Sequence, residues 1–264
     1  MKPLAVITGA SSGIGFELAR VFGENGYDLI INSDSDKIVD SANQLRGQGY
    51  DVQEVRADLS TREGVDTLYS HISTSGREVD TLVLNAGVAA GGEFLKNDFE
   101  SELYSMNLNM VYLVYLAKKV LRDMAARNEG KVLFTSSIAA EMPGPYYAVY
   151  AASKSFVQSF AEAIRYELKD TNKNITITSL QPGPTDTNFF ERGDLTDTEV
   201  GQKEKDDPAQ VAKQGFDALM EGKDHVVAGS FMNKVQASGS KFMTEEMRAA
   251  AHAKQTKPNS LESH

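Results

Sequence analysis

Short runs of consecutive apolar residues alternate along the chain with longer stretches whose apolar positions recur every three to four residues. Runs of the first kind read as strands buried on both faces; stretches of the second kind read as amphipathic helices. Leu4 to Thr8 is the first strand, followed by glycine-rich sequence and a helix from Ile14 to about Asn25 that Gly26 stops. Asp28 to Asn32 is the second strand. Helices over 36–46 and 62–75 flank a strand at 51–57, and 80–85 (DTLVLN) reads as a fully buried strand. A long helix over 98–127 leads into strand Lys131–Thr135, and helix 147–169 leads into strand Ile175–Leu180. Asp207-Pro208 supplies an N-cap and a first-turn proline for a helix through about Leu219, and His225 to Ala228 is a last short strand. Apolar strands separated by helices call for a parallel sheet covered on both faces, so the pattern predicts a doubly wound α/β fold over residues 1–233. Such sheets bind ligands beyond the carboxyl ends of their strands.

Three stretches add to this picture. Residues 184–206 have no clear period and are rich in Thr, Asp, Glu and Gly, which predicts a long loop of the kind that often carries function. Residues 234–264 form a weaker C-terminal extension, in which Thr244 can cap a helix containing Met247 and the alanines 249–251, before a frayed polar end. Leu108 to Ala117 is apolar around nearly its whole circumference, and Phe156, Phe160 and Ile164 give helix 147–169 a similar surplus. One side of such a helix packs on the sheet and the other calls for a partner.

Composition narrows the function classes. With 264 residues and 41% hydrophobic content the chain can bury a substantial core. The absence of cysteine excludes disulfides, cysteine nucleophiles and thiolate metal sites. His71, His225, His252 and His264 are too scattered to suggest a metal site and read as solvated surface positions. A formal charge of −10 argues against nucleic acid or an anionic membrane as partner. The chain begins directly in a strand and holds no apolar run of membrane-spanning length, so a soluble, cytoplasmic protein is expected.

The candidate chemistry lies where the strands end. Gly9, Ser11, Ser12, Gly13, Ile14 and Gly15 join the first strand to the first helix. Glycines there let the backbone approach a pyrophosphate, and the free N–H groups of a helix start attract its charge. Asp34 and Asp36 follow Gly9 by 25 and 27 residues at the end of the second strand. An acid here accepts hydrogen bonds from the adenosine ribose and repels a 2′-phosphate. No lysine or arginine lies between Arg20 and Lys37, which favours NAD over NADP with Asp34 as the ribose ligand. Asp58-Leu59 and Asn85-Ala86-Gly87 end the third and fourth strands on the same ligand edge. Tyr150 and Lys154 stand at an i, i+4 spacing on one helix face, with Ser137 thirteen residues upstream of the tyrosine. A cation beside a phenol lowers its pKa from about 10 towards neutrality, which makes it a usable acid/base, and a serine hydroxyl can hold the substrate oxygen.

In order and spacing, the TGASSGIG segment, Asp58-Leu59, Asn85-Ala86-Gly87, Asn107, Ser137, Tyr150-x-x-x-Lys154 and Pro182-Gly183 resemble the short-chain dehydrogenase/reductase family over about residues 3–230. The resemblance implies a Rossmann fold, an NAD(P)-dependent oxidoreductase and a division of labour. Tyr150 is then the general acid/base, and Lys154 its pKa modulator and ligand of the nicotinamide ribose. Ser137 orients the substrate oxygen, and Asn107 holds a water in a proton relay. Pro182, Gly183 and Thr187 join the cofactor site, with Thr187 at the carboxamide position and Thr185 as the fallback. Two departures are visible: Met110 stands where the family often has glycine three residues after the relay asparagine, and Ser12 replaces the base common in NADP-preferring relatives. Ile138, Met142, Pro143, Pro145, Tyr146, Tyr147, Phe189 and Phe190 are candidates for an apolar wall suited to a hydrophobic ketone or secondary alcohol. A homodimer or homotetramer is expected, because paired helices join subunits in many members. The competing readings are an NADPH-dependent carbonyl reductase of the 3-oxoacyl type and a nucleotide-binding regulator without turnover. Retention of all four tetrad residues argues against the regulator.

Overall fold

The computed structural model describes residues 1–193, 195–202, 204–230 and 244–258. Seven strands, β1 (Leu4–Thr8), β2 (Asp28–Ser33), β3 (Val52–Arg56), β4 (Thr81–Leu84), β5 (Gly130–Thr135), β6 (Ile175–Pro182) and β7 (His225–Ala228), form one sheet in the order β3-β2-β1-β4-β5-β6-β7. Every pairing is parallel. The order reverses between β1 and β4, so their carboxyl ends flank the crevice in which doubly wound sheets take their ligands.

Alternation along the strands divides the core. Val6, Ile30, Leu82, Leu84, Val132, Phe134 and Ile177 face one layer, with helices α3 (Arg62–Thr74), α5 (Tyr112–Arg127) and α6 (Ala148–Asp170) packed on them. Ala5, Ile7, Leu29, Ile31, Val83, Leu133 and Leu180 face the other, covered by α1 (Gly13–Glu24), α2 (Lys37–Gly47) and α9 (Pro208–Met220). The apolar runs of β1 and β4, buried at every position, are thus a direct consequence of having no solvent face. Phe22 of α1 fills the second layer and meets Tyr27 and Phe216 edge-on, with ring centroids 5.0 and 4.9 Å away.

The helix starts follow their capping residues. Thr61 accepts from the Gly64 amide at the start of α3, and Asp207 accepts from the Ala209 amide ahead of Pro208. Thr244 caps a C-terminal helix, Glu245–Thr256, by accepting from Met247. Residues 234–243 and 259–264 of the extension, including His264, lie outside the described residues.

The expected single helix over 98–127 is three pieces: α4 (Phe99–Met106), a π turn over Asn107–Val111, and α5. The 184–206 segment carries two single-turn helices, α7 (Phe189–Arg192) and α8 (Glu199–Gln202). A short 3-10 turn, Ile138–Glu141, follows β5.

Candidate functional site

Beyond the carboxyl ends of the strands runs a cleft of about 560 Å³. At its nucleotide end the β1–α1 turn closes tightly on β4. Thr8 Oγ1 accepts the amides of Asn85 and Ala86, both at 3.0 Å, and donates to the Val83 carbonyl at 3.2 Å. Asn85 Nδ2 returns a bond to the Thr8 carbonyl at 3.1 Å. Gly9 has φ +68°, and a Cβ there would sit 2.8 Å from Ala86 Cα, so the turn admits only glycine. A Cβ on Gly15 would collide with the Gly9 carbonyl.

The residues fit a dinucleotide. Ser12 is the N-cap of α1 yet makes no side-chain capping bond, so the first amides of the helix face the cleft without a side-chain acceptor. Gly9, Ser11, Ser12, Gly13, Ile14 and Gly15 line the cleft here, as do Asp34, Asp58, Leu59, Asn85, Ala86 and Gly87 along the strand ends. Pro182, Gly183, Thr185 and Thr187 line its opposite lip. Thr185 is buried and donates to the Gly183 carbonyl, whereas Thr187 leans over Gly13, where a Cβ would come within 2.6 Å of its methyl.

At the ribose edge Asp34 accepts from Ser33 Oγ at 3.1 Å and from the Tyr104 hydroxyl at 3.5 Å. Burial, and then the Asp34 charge, push the Tyr104 phenol up to about 12. Register also brings a base to this edge. Arg56, at the end of β3, donates to the Asp34 carbonyl at 3.1 Å and forms an ion pair with Asp36. Asp36 occupies the N-cap position of α2 but makes no side-chain capping bond; its carboxylate meets Arg56 instead. Neither Tyr104 nor Arg56 stands out in the sequence, because strand pairing and a helix from another layer carry them there.

Tyr150, Lys154 and Ser137 meet at the centre of the cleft. Tyr150 is buried, with burial pushing its phenol up to about 12 and a Ser137 hydrogen bond pulling the other way. The expected lowering of this pKa by Lys154 is not found. The ammonium donates to the Thr135 carbonyl at 2.9 Å and lies 5.7 Å from the Tyr150 ring centroid, so desolvation outweighs its charge. Burial lowers Lys154 itself to about 8. Ser137 caps the 3-10 turn, accepting from Ala139, and its neighbour Ser136 ties down α6 through the Lys154 carbonyl.

Asn107 is not part of this cluster. It stands half-buried at the start of the π turn and does not line the cleft. Asn109, two residues on, is the asparagine that the π turn directs inward. Its Oδ1 accepts the Val88 amide at 3.0 Å, and its Nδ2 donates to the Val88 carbonyl, Ser153 Oγ and Ser105 Oγ at 2.9, 3.0 and 3.2 Å. A Cβ on Gly87 would lie 3.1 Å from Asn109 Oδ1 and 3.3 Å from Lys154 Nζ, so the amide and the ammonium flank that glycine. The local widening of the helix is the geometric correction: one wide turn rotates the face and exchanges which asparagine points in. The family's order and spacing pointed to Asn107, and the structure turns Asn109 inward instead.

The substrate end is walled by Ile138, Met142, Tyr147, Phe189, Phe190 and Leu195. Pro143, Pro145 and Tyr146 do not line it. Tyr146 turns the chain in the left-handed region, φ +63°, a conformation that costs a bulky residue roughly 1–3 kcal/mol and persists only under tertiary restraint. The Gly92 amide holds its carbonyl at 2.8 Å. His252, expected on the surface, is buried here and lines the cleft from the C-terminal helix together with Gln255. Nothing in its local sequence marks it, because its partners are more than a hundred residues away.

The geometry therefore joins an anion-attracting helix start, a ribose-edge carboxylate and a buried phenol in one cleft. The sequence pattern described as short chain dehydrogenase matches residues 3–197. Oxidoreductase UcpA of Salmonella typhimurium is 30% identical over 216 residues, which are 81% of this chain and 79% of that protein. A short-chain dehydrogenase/reductase from Burkholderia phymatum in complex with NAD superposes with TM-score 0.84 at 21% identity, over 93% of this chain and 94% of the other. A short-chain dehydrogenase from Sphingobium yanoikuyae in complex with NADPH superposes with TM-score 0.76 at 25% identity, over 85% and 87%. No helix among the described residues is long and apolar enough to cross a membrane. With the matched pattern covering most of the chain and the fold shared, this chain belongs to the short-chain dehydrogenase family, oxidoreductases of alcohol and carbonyl groups that use NAD or NADP.

Proposed function

We propose that the chain moves hydride between a nicotinamide cofactor and the carbonyl or alcohol carbon of a hydrophobic substrate, with Tyr150 as the acid/base. The observation that carries this reading is the buried Tyr150–Ser137–Lys154 cluster at the junction of the nucleotide cleft and the apolar wall. A phenol held near 12 keeps its proton at neutral pH. In reduction it donates that proton to the carbonyl oxygen, which Ser137 also contacts, and regains one from solvent. In oxidation it must first release its proton to solvent and then takes the proton of the alcohol. A bound nicotinamide supplies or accepts the hydride. Lys154 places a positive charge under the developing oxyanion, and Asn109 braces the Gly87–Val88 segment beside it. A screen of ketones and secondary alcohols followed by cofactor absorbance tests the reading; binding of cofactor with no turnover across such a panel would favour the regulator instead.

The Lys154 charge gives the reaction a pH limit. With its pKa lowered to about 8, the ammonium is present below that pH and lost above it. The kcat/KM for carbonyl reduction is expected to hold level through neutrality and fall as pH rises through about 8. A profile still flat at pH 9.5 would remove the Lys154 charge from the mechanism.

NAD is the proposed cofactor. Asp34 lines the cleft at the end of β2, where an acid repels a 2′-phosphate, and Arg56, the nearby base, is already paired with Asp36. Fluorescence titration should show tighter binding of NADH than NADPH, and Asp36→Asn, which releases Arg56, should narrow the gap. A preference of ~10-fold for NADPH, worth about 1.4 kcal/mol, would overturn the assignment.

The exposed Val111 and Phe156 extend the apolar surfaces of the π turn and α6, and support assembly into a homodimer or homotetramer. Light scattering is expected to give a multiple of the 28.8 kDa chain mass, and a monomer would remove the proposal.

A further inference from the structure

The C-terminal helix attaches to the active-site segment with a matched period. Arg248, His252 and Thr256 lie on one helix face at steps of four residues, and each bonds a main-chain carbonyl ahead of Tyr150. Arg248 donates to Glu141 at 3.4 Å, His252 Nδ1 meets Pro143 at 2.8 Å, and Thr256 donates to Pro145 at 2.8 Å. Four helical residues advance about 6 Å, and two residues of extended chain advance about 6.6 Å. One helix face therefore reaches every second carbonyl of the 141–145 segment.

The middle contact fixes a tautomer. A carbonyl only accepts, so the His252 Nδ1 facing Pro143 carries the ring proton. In the neutral ring Nε2 is then an acceptor, and it faces the Tyr147 hydroxyl, which must donate to it. Burial lowers the pKa of His252 and so favours this neutral form. Tyr147 in turn stacks on Tyr150, with centroids 5.7 Å apart and planes 20° from parallel. Two phenols therefore stand side by side at the substrate end, and a ketone oxygen needs a donor from the correct one.

We propose that His252 is a positioning residue that occupies the Tyr147 proton, leaving Tyr150 and Ser137 as the donors a substrate carbonyl meets. This rests on the assignment of Tyr150 as the acid. Without the imidazole acceptor, Tyr147 offers its own proton to the carbonyl and holds the substrate in an unproductive register.

His252→Asn tests this, because the amide N–H can keep the Pro143 bond while the shorter side chain leaves no acceptor at the Nε2 position that faces Tyr147. With acetophenone and cyclohexanone as probes, kcat and KM should fall together by about tenfold, the signature of unproductive binding. Adding Tyr147→Phe to that variant, which removes the competing donor, should restore kcat. A kcat loss with KM unchanged or raised, or a double variant no better than His252→Asn, would overturn the proposal. Nitrogen NMR of the histidine-labelled parent needs no substrate and covers a variant that fails to fold or a probe that does not turn over. It should show a neutral ring protonated at Nδ1, and an Nε2–H tautomer would equally overturn the proposal. Activity surviving in Tyr150→Phe would sink the acid assignment while leaving that tautomer intact, so the two failures are distinguishable.

Discussion

Tyr150→Phe is expected to lose at least ~10³ of turnover and to bind cofactor as tightly as the parent chain. Positioned acid/base groups contribute about 10²–10⁴ to rate, and the substitution removes one oxygen and little else. The ring remains, with its stacking on Tyr147 and its tilted contact to Phe189 at 5.1 Å. Folding should therefore lose about 1 kcal/mol, the net value of a hydrogen bond such as that with Ser137. The separation of effects is what makes the result informative. Cofactor affinity is read by titration, stability by thermal melting and turnover by absorbance, and only the last should collapse. If the variant keeps a tenth of the parent rate, the proton comes from another group and the role of Tyr150 reduces to packing.

Much of this site could be read along the chain because it lies at strand ends. A strand buried on both faces is marked by its own apolar run, and in a parallel sheet all carboxyl ends fall on one edge. Thr8-Gly9, Asp58-Leu59, Asn85-Ala86-Gly87 and Pro182-Gly183 are thus gathered by topology alone. Asp207-Pro208 and Thr244 marked their helices because capping is a local interaction. What escaped depends on contacts distant in sequence. Arg56 reaches Asp34 through the pairing of β2 with β3. Tyr104 reaches Asp34 across 70 residues, and His252 reaches Tyr147 across 105. The phenol pKa is of the same kind: an i, i+4 spacing places the lysine on the right face but says nothing of how deeply both groups are buried.

The two asparagines of the π turn should separate sharply on substitution. Asn109→Ala is expected to destabilise the chain by about 3 kcal/mol and to cut turnover, whereas Asn107→Ala should change either only slightly. Asn109 uses its whole amide: one acceptor bond, and two N–H groups shared among three oxygens, join Val88, Ser105 and Ser153. Its removal leaves the Val88 amide without its acceptor, while Ser105 still donates to the Val88 carbonyl and Ser153 to the Tyr150 carbonyl. An unsatisfied buried polar group costs about 1–3 kcal/mol, and the lost amide bonds add to it. The π turn would then lose a reason to exist, since the wide turn sacrifices regular helix bonding to bring this amide inward. Without the amide the Gly87–Val88 segment loses its tie to this turn, and with it a restraint on its position beside Lys154. Asn109→Asp sharpens the test, because it keeps the acceptor for the Val88 amide but sets a carboxylate oxygen against the Val88 carbonyl and buries a charge. It should be at least as damaging as alanine. Equal tolerance of alanine at 107 and 109, in melting and in turnover, would mean that the π turn is held by packing and that neither asparagine positions the reaction centre.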